Sequence, residues 1–156
     1  MMKETTLLFL RRRDEILLAM KKRGFGEGRW NGVGGKIEQG ESLADALLRE
    51  AKEEIDTTPT QYEQVAIIKF DQYFKGTHAL MIVNVFVATK WQGEPTESEE
   101  MKPQWFSINS LPYEAMWQDD PYWLPLVLEG KKIRASFVMD KEDAIVEHTI
   151  EEVAGF

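Results

Sequence analysis

The 156-residue chain contains no cysteine. That excludes the disulfide framework on which small secreted domains rely, and the cytoplasm is the expected location. Long apolar runs are also missing: nothing approaches the roughly 20 consecutive residues that a membrane-spanning helix needs. Leu7-Leu8-Phe9-Leu10 is too short for the apolar part of a secretory leader, and Arg11-Arg12-Arg13 follows it where a leader would have its positive charge first. Positive charge is in deficit, 19 Lys and Arg against 27 Asp and Glu, for a net charge of −8. Proteins that bind nucleic-acid polymers carry basic patches, so no such partner is expected. A single nucleotide is not excluded, because a metal and a few lysines suffice to hold one. Linkers, repeats and low-complexity segments are absent as well. Hydrophobic residues make up 43% of the chain, enough for one domain over residues 1–156 with a sizeable core. No segment suggests a protein partner, and a monomer is expected.

What is present reads as alternating strands and short helices. Thr5 to Leu10 and Glu15 to Met20 are β-rich runs, with the three arginines in the turn between them or forming a phosphate patch. Six glycines between Lys21 and Gly35 make that stretch a loop. Ser42 is a good N-cap for a helix on which Leu43, Ala44, Leu47, Leu48, Ala51 and Ile55 form one apolar arc. Gln64 to Phe74 and His78 to Thr89 read as two long strands turning at Lys75-Gly76-Thr77. A short strand is expected over Pro103 to Ile108, short helices over Ser110 to Met116 and Pro121 to Leu128, and a terminal hairpin over Lys131 to Met139 and Ala144 to Ile150. Strands flanked by two helical regions predict an α/β class with α/β/α layers.

Along the Ser42 helix, Glu50, Glu53 and Glu54 stand at i, i+3 and i+4, so three carboxylates share one face. Like charges at that spacing destabilise a helix unless a cation lies among them. A hard divalent ion, most simply Mg2+ with Mn2+ as a substitute, suits an all-oxygen cluster and commonly acts together with substrate phosphates. The glycines just upstream let a backbone approach such a substrate closely. Metal, carboxylates and phosphate point to phosphoanhydride chemistry.

Gly35, Glu41, Arg49-Glu50 and Glu53-Glu54, at these spacings, resemble the signature of the Nudix hydrolases. The resemblance implies a mixed sheet in an α/β/α sandwich and cleavage of a nucleoside diphosphate linked to another group. It implies metal ligands at Glu50, Glu53, Glu54, Glu100 and the Gly34 carbonyl, with Glu53 as base or ligand and Arg49 as the residue that holds the glutamates. Three positions depart from the pattern: Ala51 for a bulky aliphatic, and Asp56-Thr57 for a glycine and an aliphatic.

Outside the signature, Met20 to Gly26, Gly28 to Gly32, Gly34-Gly35-Lys36, Leu80-Met81 and Met116 to Trp123 resemble one branch, the oxidised-purine nucleoside triphosphatases. That resemblance implies hydrolysis of substrates such as 8-oxo-dGTP and 2-oxo-dATP to monophosphate and pyrophosphate. It implies that Asn31, Asp119 and Asp120 face the purine edge, that Trp117 stacks on the base, and that Thr6, Lys21 and Met81 line the cavity. Gly34, Gly35 and Lys36 would lie beside the phosphates. Phe25 and Phe74 read equally as core or pocket wall. Gln72 and Thr5 replace aromatic residues of the vertebrate pattern, which implies a wider or more polar pocket. Two adjacent buried aspartates cannot both ionise readily, so one would donate while the other accepts. Two other readings share the fold: hydrolysis of ordinary triphosphates, ADP-ribose or dinucleoside polyphosphates, and a nucleotide sensor without turnover.

Overall fold

The computed structural model describes residues 2–156. Strand β1 (Met2–Arg12) turns through Arg13 and Asp14 into β2 (Glu15–Lys21), and a two-residue strand, β3 (Trp30–Asn31), interrupts the glycine-rich loop. Helix α1 (Leu43–Ile55) is followed by the long hairpin of β4 (Thr58–Phe74) and β5 (Thr77–Gln92). Strand β6 (Met101–Ser107), helix α2 (Asp120–Leu128) and the hairpin of β7 (Lys132–Met139) and β8 (Ile145–Val153) complete the chain. The sheet order is β3-β2-β1-β5-β4-β7-β8, with β6 added on β2. Strands β1/β5 and β4/β7 pair in parallel, β4/β5 and β7/β8 antiparallel, so the sheet is mixed. Among the described residues no helix is long and apolar enough to cross a membrane.

Strand alternation divides the core in two. Phe9, Ile68, Val85 and Phe137 point to the face covered by Trp123, Leu124 and Val127 of α2. Leu8, Leu10, Phe86 and Ala88 point to the other face, against Leu47, Ala51 and Ile55 of α1. The expected α/β/α layering is thus realised. Several details differ. Ala44 is exposed and Ala46 is buried, so the apolar arc of α1 lies slightly round from the expected one. Ser110 to Met116 holds only a single 3-10 turn at Tyr113–Ala115, because Leu111 precedes Pro112 and is biased away from helical geometry. The two hairpin strands run well past their expected ends: Pro59 and Trp91 still pair, beyond register shifts between Gln64 and Ala66 and around Gln61.

Both ends of α1 are well terminated. The Ser42 hydroxyl accepts from the Asp45 N–H at 3.1 Å. At the other end Asp56 adopts left-handed geometry (φ 55°, ψ 41°), and its N–H reaches the carbonyls of Ala51 and Lys52. Its carboxylate meets Lys52 at 2.7 Å. The turn leans on Gly93, where a Cβ would lie 2.8 Å from the Asp56 carbonyl oxygen. Aspartate therefore does the work of the glycine expected there. A β-branched residue has no such tolerance. Asp56→Val is expected to lower stability by about 1–2 kcal/mol, while Asp56→Gly stays within about 0.5 kcal/mol of the parent; thermal and denaturant melts check both.

Candidate functional site

The segment after β3 runs back along the open edge of β1. Val33 and Leu8 exchange hydrogen bonds at 2.6 and 2.9 Å, Thr6 N–H donates to the Gly35 carbonyl at 2.9 Å, and Ile37 N–H to that of Glu4 at 3.0 Å. Gly34 and Gly35 are thereby fixed between β1 and α1, where side chains do not fit. A Cβ at Gly34 would lie 2.0 Å from the Thr6 carbonyl oxygen, and one at Gly35 would lie 2.6 Å from Glu50 Oε1. The backbone thus comes within touch of the acids of α1. Gly34 N–H donates to Glu54 Oε1 at 2.7 Å.

Arg49 supplies the positive charge that the acid cluster requires. Its Nε and Nη2 grip Glu41 at 2.7 and 3.0 Å, Nη1 reaches Glu50 at 2.9 Å and Glu53 at 3.3 Å, and Nη2 also donates to the Lys36 carbonyl at 3.1 Å. The Arg49 hydrogen bonds, helped by the Glu38 N–H, hold the Glu41 carboxyl down at about 2. Glu50 and Glu54 are pushed the opposite way. Burial raises Glu50 against the pull of Arg49, and burial raises Glu54 to about 7 despite the Gly34 N–H. Glu53 is the exposed member of the three. A cleft of about 330 Å³ is lined by these glutamates with Arg23, Ser98, Glu99 and Glu100. Arg23, Ser98 and Glu99 were not singled out in the sequence; the Lys21-Lys22-Arg23 run was the available signal.

A second cluster surrounds Trp117. Its ring stacks on Phe25 (centroids 5.2 Å, planes 29° apart), and Phe74 meets Phe25 edge-on at 5.3 Å. Phe25 is 66% exposed, so it is not a core residue. Asp119 and Asp120, which begin α2, are 5% and 2% exposed. Asp119 accepts from the Trp123 indole N–H at 2.8 Å, and Asp120 from the Trp117 backbone N–H at 2.9 Å. Burial raises both carboxyls, and Asp120 further through the charge of Asp119. Asp120 is thus pushed up further than Asp119, whose charged form the indole donor favours.

Residues 21–31 tie the two clusters together. Lys22 N–H donates to the Glu100 carbonyl at 2.8 Å and Lys22 Nζ pairs with Glu97 at 2.6 Å, on the acid side. Lys21 lies close enough to Glu54 for its charge to be felt there. Phe25 then reaches Trp117. Asn31, opposite Ala19 in the ladder, turns its Oδ1 onto the Gly32 N–H at 2.8 Å. Met81 packs against the core face of Phe70. Thr6 shares the face of Leu8 and Leu10, under the glycine segment, with a buried Oγ1 that has no hydrogen-bond partner among the described residues. Lys36 is exposed and meets the site through its carbonyl.

The NUDIX domain model matches residues 1–127. The chain belongs to the Nudix hydrolase family. It is 45% identical over 148 residues to the oxidized purine nucleoside triphosphate hydrolase of Danio rerio, covering 95% of this chain and 94% of the relative. The Mus musculus protein of the same name is 43% identical over 151 residues, covering 97% and 96%. In fold, the chain superposes on the crystal structure of a MutT protein from Bacillus halodurans with a TM-score of 0.83, at 24% identity and with 96% and 97% of the chains covered.

Nudix hydrolases generally need a divalent metal. The residues here fit one. Every donor is oxygen, and two of the carboxylates are buried beyond what one arginine offsets. Among the described residues no three acids or histidines stand close enough together to hold a metal ion by themselves. The arrangement is an open rim, the kind that substrate phosphates complete.

The aspartate pair generates a pH prediction. A carboxyl whose folded pKa lies above its ordinary 3.8 leaves folding unopposed at low pH and destabilises the fold as pH rises through the folded value. Asp120→Asn keeps an acceptor for the Trp117 N–H and removes that charge. Its melting temperature relative to the parent is expected to rise between pH 4 and pH 8; a constant difference would show that Asp120 carries no such burden.

Proposed function

We propose that the protein is a Mg2+-dependent pyrophosphohydrolase that converts oxidised purine nucleoside triphosphates to the monophosphate and pyrophosphate. The observation that carries this reading is the buried Asp119–Asp120 pair beside Trp117. Two adjacent carboxyls in a desolvated position oppose folding, and they give no structural return beyond one hydrogen bond each. As a base-reading edge they have a use: one donates and one accepts, next to an aromatic platform for a flat ring. The relatives named for oxidised purine triphosphates support the same substrate class.

At the other end, Glu50, Glu53, Glu54, Glu100 and the Gly34 carbonyl would hold Mg2+. When bound, the ion supplies charge neutralisation at the phosphates and a more acidic water. The protein's own groups do the rest. Arg49 fixes Glu50 and Glu53 against Glu41. Gly34 N–H fixes one oxygen of Glu54. Glu53, with open access to solvent, serves as proton acceptor or ligand. Lys21 and Arg23 place positive charge beside the acid cleft, where phosphates enter. Asn31 adds a polar group close to the base pocket. The departures from the family pattern do not favour a sensor: Ala51 is fully buried against the sheet, and Asp56 closes the helix as glycine would.

Glu53→Gln is expected to lower Mg2+-dependent turnover by about 10²–10⁴-fold, with stability within about 0.5 kcal/mol of the parent because the side chain is exposed. Near-normal turnover would remove Glu53 from the mechanism. A panel of 8-oxo-dGTP, 2-oxo-dATP, dGTP and ADP-ribose, each with and without Mg2+, tests the substrate. The oxidised purines should have the highest kcat/KM. Preference for ADP-ribose, or tight binding without cleavage, would displace this reading.

A further inference from the structure

Arg29 stands at the base end of the site with an unusual set of partners. Among the described residues it makes no salt bridge, although the chain carries an excess of acid and Glu27 is two positions away. Its guanidinium carbon lies 4.4 Å from the centroid of the Trp117 ring, and Nη1 donates to the Met116 carbonyl at 2.9 Å. Its backbone is held as well: Arg29 N–H donates to Gly26 at 3.0 Å, and its carbonyl accepts from Lys21 N–H at 3.1 Å. A planar guanidinium can stack over a ring and still donate in its own plane, whereas an ammonium over the same ring offers no flat face to hold it. The charge so placed also bears on Asp120, which in turn accepts from the Trp117 N–H. One side chain therefore touches the residue before the platform and the platform itself, and acts electrostatically on the nearer carboxyl of the pair.

We propose that Arg29 is a positioning residue for base selection: it fixes the Trp117 ring and sets its charge on the Asp120 side of the aspartate pair, so that the edge offered to a guanine-type and to an adenine-type base is not a fixed one. The proposal rests on the purine reading given above. The charged and titratable groups that face Asp120 are Asp119, Arg29 from the glycine loop and Tyr113 from the turn before α2, with the Trp123 indole as the neutral donor to Asp119. Arg29 is the cation among them. Without it, the proton on Asp120 is held more firmly, and the pair becomes a fixed donor–acceptor edge.

Two variants separate its charge from its shape. Arg29→Lys keeps the charge and loses the in-plane donation and stacking; Arg29→Gln loses the charge. In the substrate-free protein, carboxyl titration of Asp120 followed by 13C NMR should show a higher midpoint in Arg29→Gln than in the parent, with Arg29→Lys near the parent. In steady-state kinetics, Arg29→Lys should raise KM about fivefold for 8-oxo-dGTP and 2-oxo-dATP alike, through the loosened platform. Arg29→Gln should in addition change the ratio of kcat/KM between the two substrates and move its pH dependence upward. An unmoved Asp120 midpoint in Arg29→Gln, or an equal loss on both substrates with an unchanged pH profile, would reduce Arg29 to a structural contact and overturn the proposal. If the parent prefers neither oxidised purine, the substrate reading fails by itself; the Asp120 midpoint and the same ratio taken with dGTP and dATP still decide the role of Arg29.

Discussion

The site depends first on the Arg49 guanidinium. Three glutamates on one face of α1 repel one another, and burial of Glu50 and Glu54 adds to the opposition. Repulsion between helix neighbours amounts to a few tenths of a kcal/mol per pair, whereas burying Leu47 or Ile55 against the sheet contributes roughly 1.5–3 kcal/mol each. Packing therefore holds the helix, and Arg49 decides how its acids are arranged. By gripping Glu41 in a two-bond fork it also ties the helix to the loop that carries the Lys36 carbonyl. That loop carries Gly34 and Gly35, so the backbone that meets Glu54 and the face that bears Glu50 are set by one cation.

From that constraint the two ends of the site follow by chain connectivity. The glycine segment is bonded to β1 on one side and touches α1 on the other. The residues before it, Lys21 to Asn31, run from the acid rim to Trp117 and return. A nucleotide has the same layout, charged phosphates at one end and a flat base at the other. The mixed sheet separates the two helices that serve these ends: α1 brings acids from one face, and the start of α2 brings aspartates from the other.

Much of this was legible in the residues. Helix α1 could be read from its period, its Ser42 cap and its acids, because local chemistry determines all three. The long strands could be read from their β-branched runs, but not their full extent, since Pro59 and Trp91 extend the ladder only through their partners. The turn at Ser110 to Met116 was overread as helix; its composition is helical, and the Leu111-Pro112 step prevents it. The burial of Glu54 escaped a periodic reading because it comes from the glycine segment lying over the helix, a contact between residues 20 positions apart. Arg29 had no signal of its own, for its role exists only when Met116 and Trp117 are brought beside it.

The aspartate pair bears on why the two ends were legible to different degrees. Metal and phosphate chemistry needs several like charges on one element, which leaves a periodic trace in the sequence. Base recognition needs a few polar groups in a desolvated wall, and such groups are individually ordinary: Asp119-Asp120-Pro121 also suits a helix start, which is where it stands. Neither aspartate caps that helix with its side chain. One turns to the Trp123 indole and the other to the Trp117 backbone, so the helix forgoes a cap that two well-placed acids could have supplied. A sequence selected for stability alone would have used them there. Their diversion into a buried pair, against desolvation and mutual repulsion, is the physical support for the proposal that they meet a ligand.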